Sequence, residues 1–181
     1  MPLAFDKADP QIWWGEFAAN EGEINKLQIG PSQFWITRYA QEWRIAHLQE
    51  EANELAEVKL EPLSQASDIP GEAQINHFSF QQSPKSLFFT PMLADRPVVM
   101  KPEHPFYIQS GAEVTIYVTT SLWLRISTGE HSGILRTYPL YRPSDTWFGS
   151  STREGELCYA SRIKGRLRLL DVAMLPHRAL T

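Results

Sequence analysis

The chain has 181 residues, with 17 Lys and Arg against 21 Asp and Glu, so its net charge at pH 7 is −4. That length suits one domain or two small ones, and a hydrophobic content of 43% is enough for a buried core. Mild acidity without a basic cluster gives no electrostatic footprint for nucleic acid or an anionic membrane, and no run approaches the roughly 18 apolar residues of a membrane span.

The amino terminus, MPLAFDKADP, lacks the basic start and apolar run of a signal peptide. The cytoplasm is therefore the expected compartment. One cysteine, Cys158, excludes an internal disulfide. Aromatic residues make up 12%, including six Trp, which suits strands packing on pleated, half-buried surfaces.

Asp9-Pro10 ahead of Gln11-Ile12-Trp13-Trp14 predicts a short helical turn, with Asp as N-cap and Pro at N1, ended by Gly15. Residues 1–20 form an extension on this reading. One of Trp13 and Trp14 is expected to cover the core edge, or the pair to meet a partner. Ile24 to Ile29 predicts a strand stopped by Gly30-Pro31. Gln33 to Tyr39 and Glu42 to Leu48 predict a hairpin around Ala40-Gln41. Its alternation puts Phe34 and Ile36 on one face of the first arm, and Trp43, Ile45 and His47 on one face of the second. Rings on both faces predict a hairpin covered on both sides or lying at a homo-oligomer interface.

Glu50 to Glu61 carries five Glu against Lys59, with Leu48, Ala52 and Leu55 at helical spacing. A solvated, partly helical connection is expected there, with an acidic docking patch as the alternative. Strands are predicted again over Gln74 to Gln81, Leu87 to Met92, Arg96 to Met100 and Pro105 to Ile108. The clearest alternation runs from Val114 through Ser127, too long for one straight strand, so a bend is expected near Thr119-Thr120-Ser121. Ile134 to Tyr138 follows. Glu156 to Ser161 and Arg166 to Leu170 then predict a last hairpin around Ile163-Lys164-Gly165. Short strands, Pro and Gly turns and very little helix predict an all-β fold. An antiparallel β-sandwich or open barrel, jelly-roll-like, is expected as a single domain over residues 21–181.

Between Arg142 and Glu156 the alternation stops and polar residues crowd around Trp147 and Phe148. Such a loop either satisfies its own hydrogen bonds or offers them to a ligand. Self-satisfaction has its devices: Arg142-Pro143-Ser144-Asp145 has turn chemistry, and Ser151-Thr152-Arg153-Glu154 fits a capping box closed by Gly155. As a site, Arg142 and Arg153 would clamp a carboxylate or phosphate, Trp147 would stack on a sugar or base, and Asp145 would accept from hydroxyls. The candidate ligand-binding set is therefore Arg142, Asp145, Trp147, Arg153, Glu154 and Glu156. Asp145 with Glu154 or Glu156 is the one carboxylate pair for glycoside hydrolysis, and nothing in the spacing enforces the needed geometry.

No other catalytic motif stands out. Cys158, between Leu157 and Tyr159, reads as a small buried hydrophobe, with no His close in sequence to activate it. His47, His77, His104, His131 and His177 show no ligand spacing, so no metal and no cofactor are expected. Gly-rich phosphate loops and the Gly-x-Ser-x-Gly elbow are also missing. Arg38, Tyr39, Trp43 and Arg44 interleave basic and aromatic residues, but the acidic chain argues against a nucleic-acid platform.

Leu93 to Ile126, Tyr141 to Arg162 and Trp35 to His47 together resemble a family of uncharacterised bacterial proteins that carry a domain of unknown function. The likeness covers most of the chain and implies no activity, substrate or catalytic residue. It implies that members continue past the position matching His177 to Thr181, so that the last strand pairings here would be incomplete. The expected function is binding rather than catalysis: a module that takes a polar small molecule or a protein partner through the 142–156 loop. The alternatives are a hydrolase working through Asp145, and a purely structural module that associates through the first hairpin or Trp13-Trp14.

Overall fold

A computed structural model describes residues 12–50, 58–63, 68–102, 107–113, 115, 118–163, 176 and 178–180. The first strand, β1 (Gly15–Ala18), begins where the sequence predicts a helix to stop. Asp9 to Gln11 lie outside the described residues, and Ile12 to Trp14 are irregular. The reason is packing: Trp13 is buried at 1% exposure and donates its indole Nε1–H to Pro176 O at 2.8 Å. An isolated turn of helix offers nothing comparable. Trp14 meets Trp13 edge-on and stays partly exposed, so one ring covers the core as expected.

The next strands follow the alternation closely. β2 (Ile24–Ile29), β3 (Ser32–Tyr39) and β4 (Glu42–Gln49) form an antiparallel meander. β5 (Val58–Leu63) pairs with β2, and β6 (Gln74–Ser79) pairs with β4, giving a five-stranded sheet ordered β5-β2-β3-β4-β6. Residues 51–57 lie outside the described set. From Val58 onward the expected helical character is wrong: Glu61 and Lys59 sit in an edge strand opposite Lys26 and Gln28. Backbone pairing with a buried strand overrides an apolar spacing too sparse to hold a helix.

A four-stranded sheet packs on the five-stranded one. Its strands are β1, β7 (Ser86–Met92), β10 (Trp123–Gly129) and β11 (Ser132–Pro139), in the order β1-β7-β10-β11. Phe17, Leu87, Phe89, Leu124, Ile126 and Tyr138 from this sheet meet Leu27, Ile29, Phe34, Ile36, Trp43 and Ile45 from the other in one buried cluster. Phe17 and Phe89 stack with ring centroids 5.0 Å apart. At about 1.5–3 kcal/mol for each large side chain buried, this layer is the main stabilising feature. Trp35 and Ala46, on the outer face of the five-stranded sheet, are buried with Ala73, beside Leu48, Leu63 and Ile69. Both faces of the first hairpin are thus covered by the chain itself.

The remaining strands flank the sandwich. β8 (Val98–Pro102), β9 (Thr119–Ser121), β12 (Ser144–Gly149), β13 (Gly155–Ile163) and β14 (Arg178–Leu180) make two small sheets, β12-β13-β8 and β14-β9. β8 joins β13 in parallel, Val98 opposite Tyr159. The bend expected near residues 119–121 is present: Leu122 separates β9 and β10, which belong to different sheets. Val114, Ile116 and Tyr117 lie outside the described residues, as do Pro105, Phe106 and the hairpin arm expected at Arg166 to Leu170. Tyr107 and Ile108 are exposed and irregular rather than a strand. Nearly all described structure is β, mostly antiparallel, and no sheet among the described residues closes into a barrel. The architecture is a β-sandwich with two small accessory sheets.

Candidate functional site

The polar stretch at 142–156 is not a loop. It is a β-hairpin, β12 turning through residues 150–154 into β13. The alternation there was hidden because both faces of its outer half are exposed, so neither face needs to be uniformly apolar. Asp145 faces Tyr159, Trp147 faces Leu157 and Gly149 faces Gly155; on the other face Thr146 meets Cys158 and Phe148 meets Glu156. Near the base both faces are packed, with Cys158 and Tyr159 buried. Towards the tip Trp147, Phe148 and Leu157 are 48%, 60% and 45% exposed.

The tip satisfies several of its own polar groups. Ser151 Oγ accepts from the backbone N–H of Arg153 at 3.2 Å and of Glu154 at 3.1 Å. Ser150 Oγ donates to Glu154 Oε2 at 3.0 Å, and Trp147 Nε1 donates to Ser151 O at 2.8 Å. Half of the expected capping box therefore forms, but Glu154 bonds Ser150 and no helix follows, because the chain must return as β13. Gly149 and Gly155 approach so closely that a Cβ on Gly149 would lie 2.1 Å from Glu154 O. Gly149→Ala is expected to open this turn and cost about 1–3 kcal/mol. Loss of protection of the Tyr159 amide in hydrogen exchange would show the damage spreading to the base; an unchanged melting temperature would refute the expectation.

At the base, Arg142 Nη2 pairs with Asp145 Oδ2 at 3.1 Å, and Arg96 Nη1 reaches Asp145 Oδ1 at 3.4 Å. Arg96 also lies over the Tyr159 ring at 5.5 Å, and Tyr159 donates its hydroxyl to Asp95 Oδ1 at 2.8 Å. Burial, then the Asp95 hydrogen bond, raise the pKa of Tyr159. Behind it Tyr159 packs on Trp123 with centroids 5.5 Å apart. Beside this group an open cleft of about 480 Å³ is lined by Leu93, Asp95, Arg96, Val98, Met100 and Thr120. Trp147 does not line it.

The candidate residues thus fall into two groups. Arg142 and Asp145 come together at the base, while Arg153 and Glu154 sit at the tip, a strand length of roughly 17 Å away. Asp145 and Glu156 lie on opposite faces of the hairpin. Burial raises the Cys158 thiol pKa, with Glu156 adding to the rise, which disfavours the thiolate. Among the described residues no three His, Cys, Asp or Glu side chains gather as metal ligands.

A second polar cluster, absent from the expected site, lies between the two main sheets. His47 stacks on Phe34 at 4.6 Å and meets Tyr138 edge-on at 5.1 Å. Ser32 Oγ lies 3.2 Å from His47 Nε2 and donates to Leu140 O at 2.8 Å. Pro139 O lies 3.3 Å from the same hydroxyl, so two backbone carbonyls compete with His47 for its one hydrogen. Burial, reinforced by the charge of Arg136, lowers the His47 pKa to about 4. The inward position of His47 beside Ile45 was legible in the alternation; its contacts with Ser32 and Tyr138 come from separate strands.

No helix among the described residues is long and apolar enough to cross a membrane. Comparison with curated proteins and with solved structures returns no match. Residues 13–181 match the family model described as protein of unknown function (DUF432). The match spans both main sheets, the hairpin and β14, and the chain belongs to this family of domains of unknown function.

Proposed function

We propose that the chain is a binding module that holds a partner protein through the β12–β13 hairpin. One observation carries this reading: Trp147 and Leu157 are exposed side by side on one face of the hairpin, with Phe148 exposed on the other, while Ser150, Ser151 and Glu154 at the tip already bond one another. Large rings held at low entropic cost are the usual anchors of protein interfaces. The neutralised base supports the same choice over a small anionic ligand, because Asp145 already occupies Arg142 and Arg96.

The test is a pair of variants. Trp147→Ser with Phe148→Ser removes both rings from exposed positions, so the melting temperature should move little. Partners cross-linked to the wild-type domain should be lost, with affinity falling at least about 30-fold. Arg142→Ala with Arg153→Ala should leave those partners bound. Full retention by the ring variant and loss by the arginine variant would transfer the function to a polar ligand.

A further inference from the structure

We propose that the free edge of β12 pairs antiparallel with β12 of a second copy of this chain, joining two small sheets into one. This rests on the reading of the hairpin as a protein-binding surface and names its partner. β12 ends the sheet β12-β13-β8, and no strand lies on its outer side among the described residues. Tyr159 N–H donates to Pro97 O at 2.9 Å, on the β8 side of β13. Strand geometry then turns the N–H and C=O of Cys158 and Glu156 towards β12, where they meet Thr146 and Phe148. Asp145, Trp147 and Gly149 therefore aim their backbone groups outwards, with no strand to receive them among the described residues.

Other edges carry the usual protections. β5 bears Lys59 and Pro62, β8 bears Lys101, and β1 has only four residues. From Ser144 to Gly149, β12 has no Pro and no Lys, and its one charge, Asp145, is already balanced by Arg142 and Arg96. The strand is also self-complementary. A two-fold axis at Trp147 sets Asp145 opposite Gly149, Thr146 opposite Phe148 and Trp147 opposite its own copy. All the outward residues then exchange backbone hydrogen bonds, and no charge meets a like charge. Leu157 stands beside Trp147 in each copy, so two rings and two leucines form one continuous apolar row on that face. An axis at Thr146 is poorer: it sets Asp145 against Trp147, and Gly149 against Pro143, which has no N–H to give. About five residues of each copy pair directly, against roughly 20–30 a side in a standard interface, so the association is weak and concentration-dependent.

The test is sedimentation equilibrium of the full chain from about 1 to about 300 µM, a range that covers weak interfaces. The mass should rise from 20.7 kDa towards twice that value. Trp147→Lys puts two like charges on the axis at an exposed position, and should weaken association at least about 10-fold with circular dichroism unchanged. A second measurement does not depend on that variant. At the upper end of the range Trp147→Cys should form a disulfide dimer on mild oxidation, because opposed residues of such a pair lie about 5.5 Å apart at Cα. Ser144→Cys should not, since its copies lie about 20 Å apart. A wild-type chain that stays monomeric throughout would overturn the proposal. If Trp147→Ser with Phe148→Ser then still loses a different cross-linked protein, the hairpin reading survives and only the second copy is excluded. Undiminished association of Trp147→Lys, or equal oxidation of both cysteine variants, would also overturn it.

Discussion

Replacing Trp43 with alanine is expected to destabilise the domain by about 3–5 kcal/mol, enough to unfold much of the population of a marginally stable protein. Trp43 is fully buried between the two main sheets, and its Nε1–H donates to Pro84 O at 2.9 Å. It therefore does two jobs. It fills the core at the end of the β3–β4 hairpin, and it fastens the turn that leads from β6 to β7. That turn is held on the same hairpin by Phe80 N–H to Gln41 O at 2.8 Å and Ser83 N–H to Ala40 O at 3.0 Å. Alanine removes the ring and leaves Pro84 O short of its donor. Trp43→Phe keeps much of the volume and loses the hydrogen bond, so about 1–2 kcal/mol is expected. Urea unfolding followed by circular dichroism separates the two, since both variants should lower the midpoint with little change in slope. An alanine variant within 1 kcal/mol of wild type would mean that the sheets close over the gap.

The second large effect is acid destabilisation through His47. Its pKa falls from 6.5 in the unfolded chain to about 4 in the folded one, first because it is buried and second because Arg136 is near. Between these values the unfolded chain binds a proton that the folded protein does not. Stability is therefore full above about pH 6.5, falls as pH drops towards 4, and loses no more from this residue below that. At 1.36 kcal/mol per pKa unit the total is about 3 kcal/mol. Carboxylates add their own dependence mostly at lower pH: Glu42, for instance, has its pKa lowered by hydrogen bonds from Arg44 and His77, so its contribution is lost as pH falls below about 4.5. The His47 contribution is isolated by subtracting the pH profile of His47→Gln, which keeps a donor for Ser32 but does not titrate. The difference curve should rise through pH 4 to 6.5 and be flat at higher pH. Parallel profiles across that range would show that His47 ionises as easily in the folded state as in the unfolded one.

These expectations rest on two kinds of information. Strands β2, β3, β4, β7 and β11 were legible because each has one face in a core, so apolar residues recur every second position. Phe34 with Ile36, and Trp43 with Ile45, fall on the inner face for that reason. The same rule failed at β12, where Trp147 and Phe148 are adjacent and both exposed, so a strand looked like a polar loop. It failed at β5, a short edge strand with one Glu, because it was read together with the Glu-rich residues just before it. The turn residues of the candidate site were legible too: Ser151 accepts the backbone N–H groups its sequence context predicts.

What the sequence determined by itself was an all-β chain, the facing of its central strands and the position of its bend before β10. These follow from local alternation and turn chemistry, which act within a few residues. Only the tertiary structure decided which strands pair across long gaps, such as β8 beside β13 in parallel. It also decided that Asp145 is held by Arg96 as well as by Arg142, and that His47, Tyr138, Arg136 and Asn76 gather between the sheets. Such contacts join residues with no periodic relation. They are set by the burial gained when two whole sheets close together, and no single segment records that free energy.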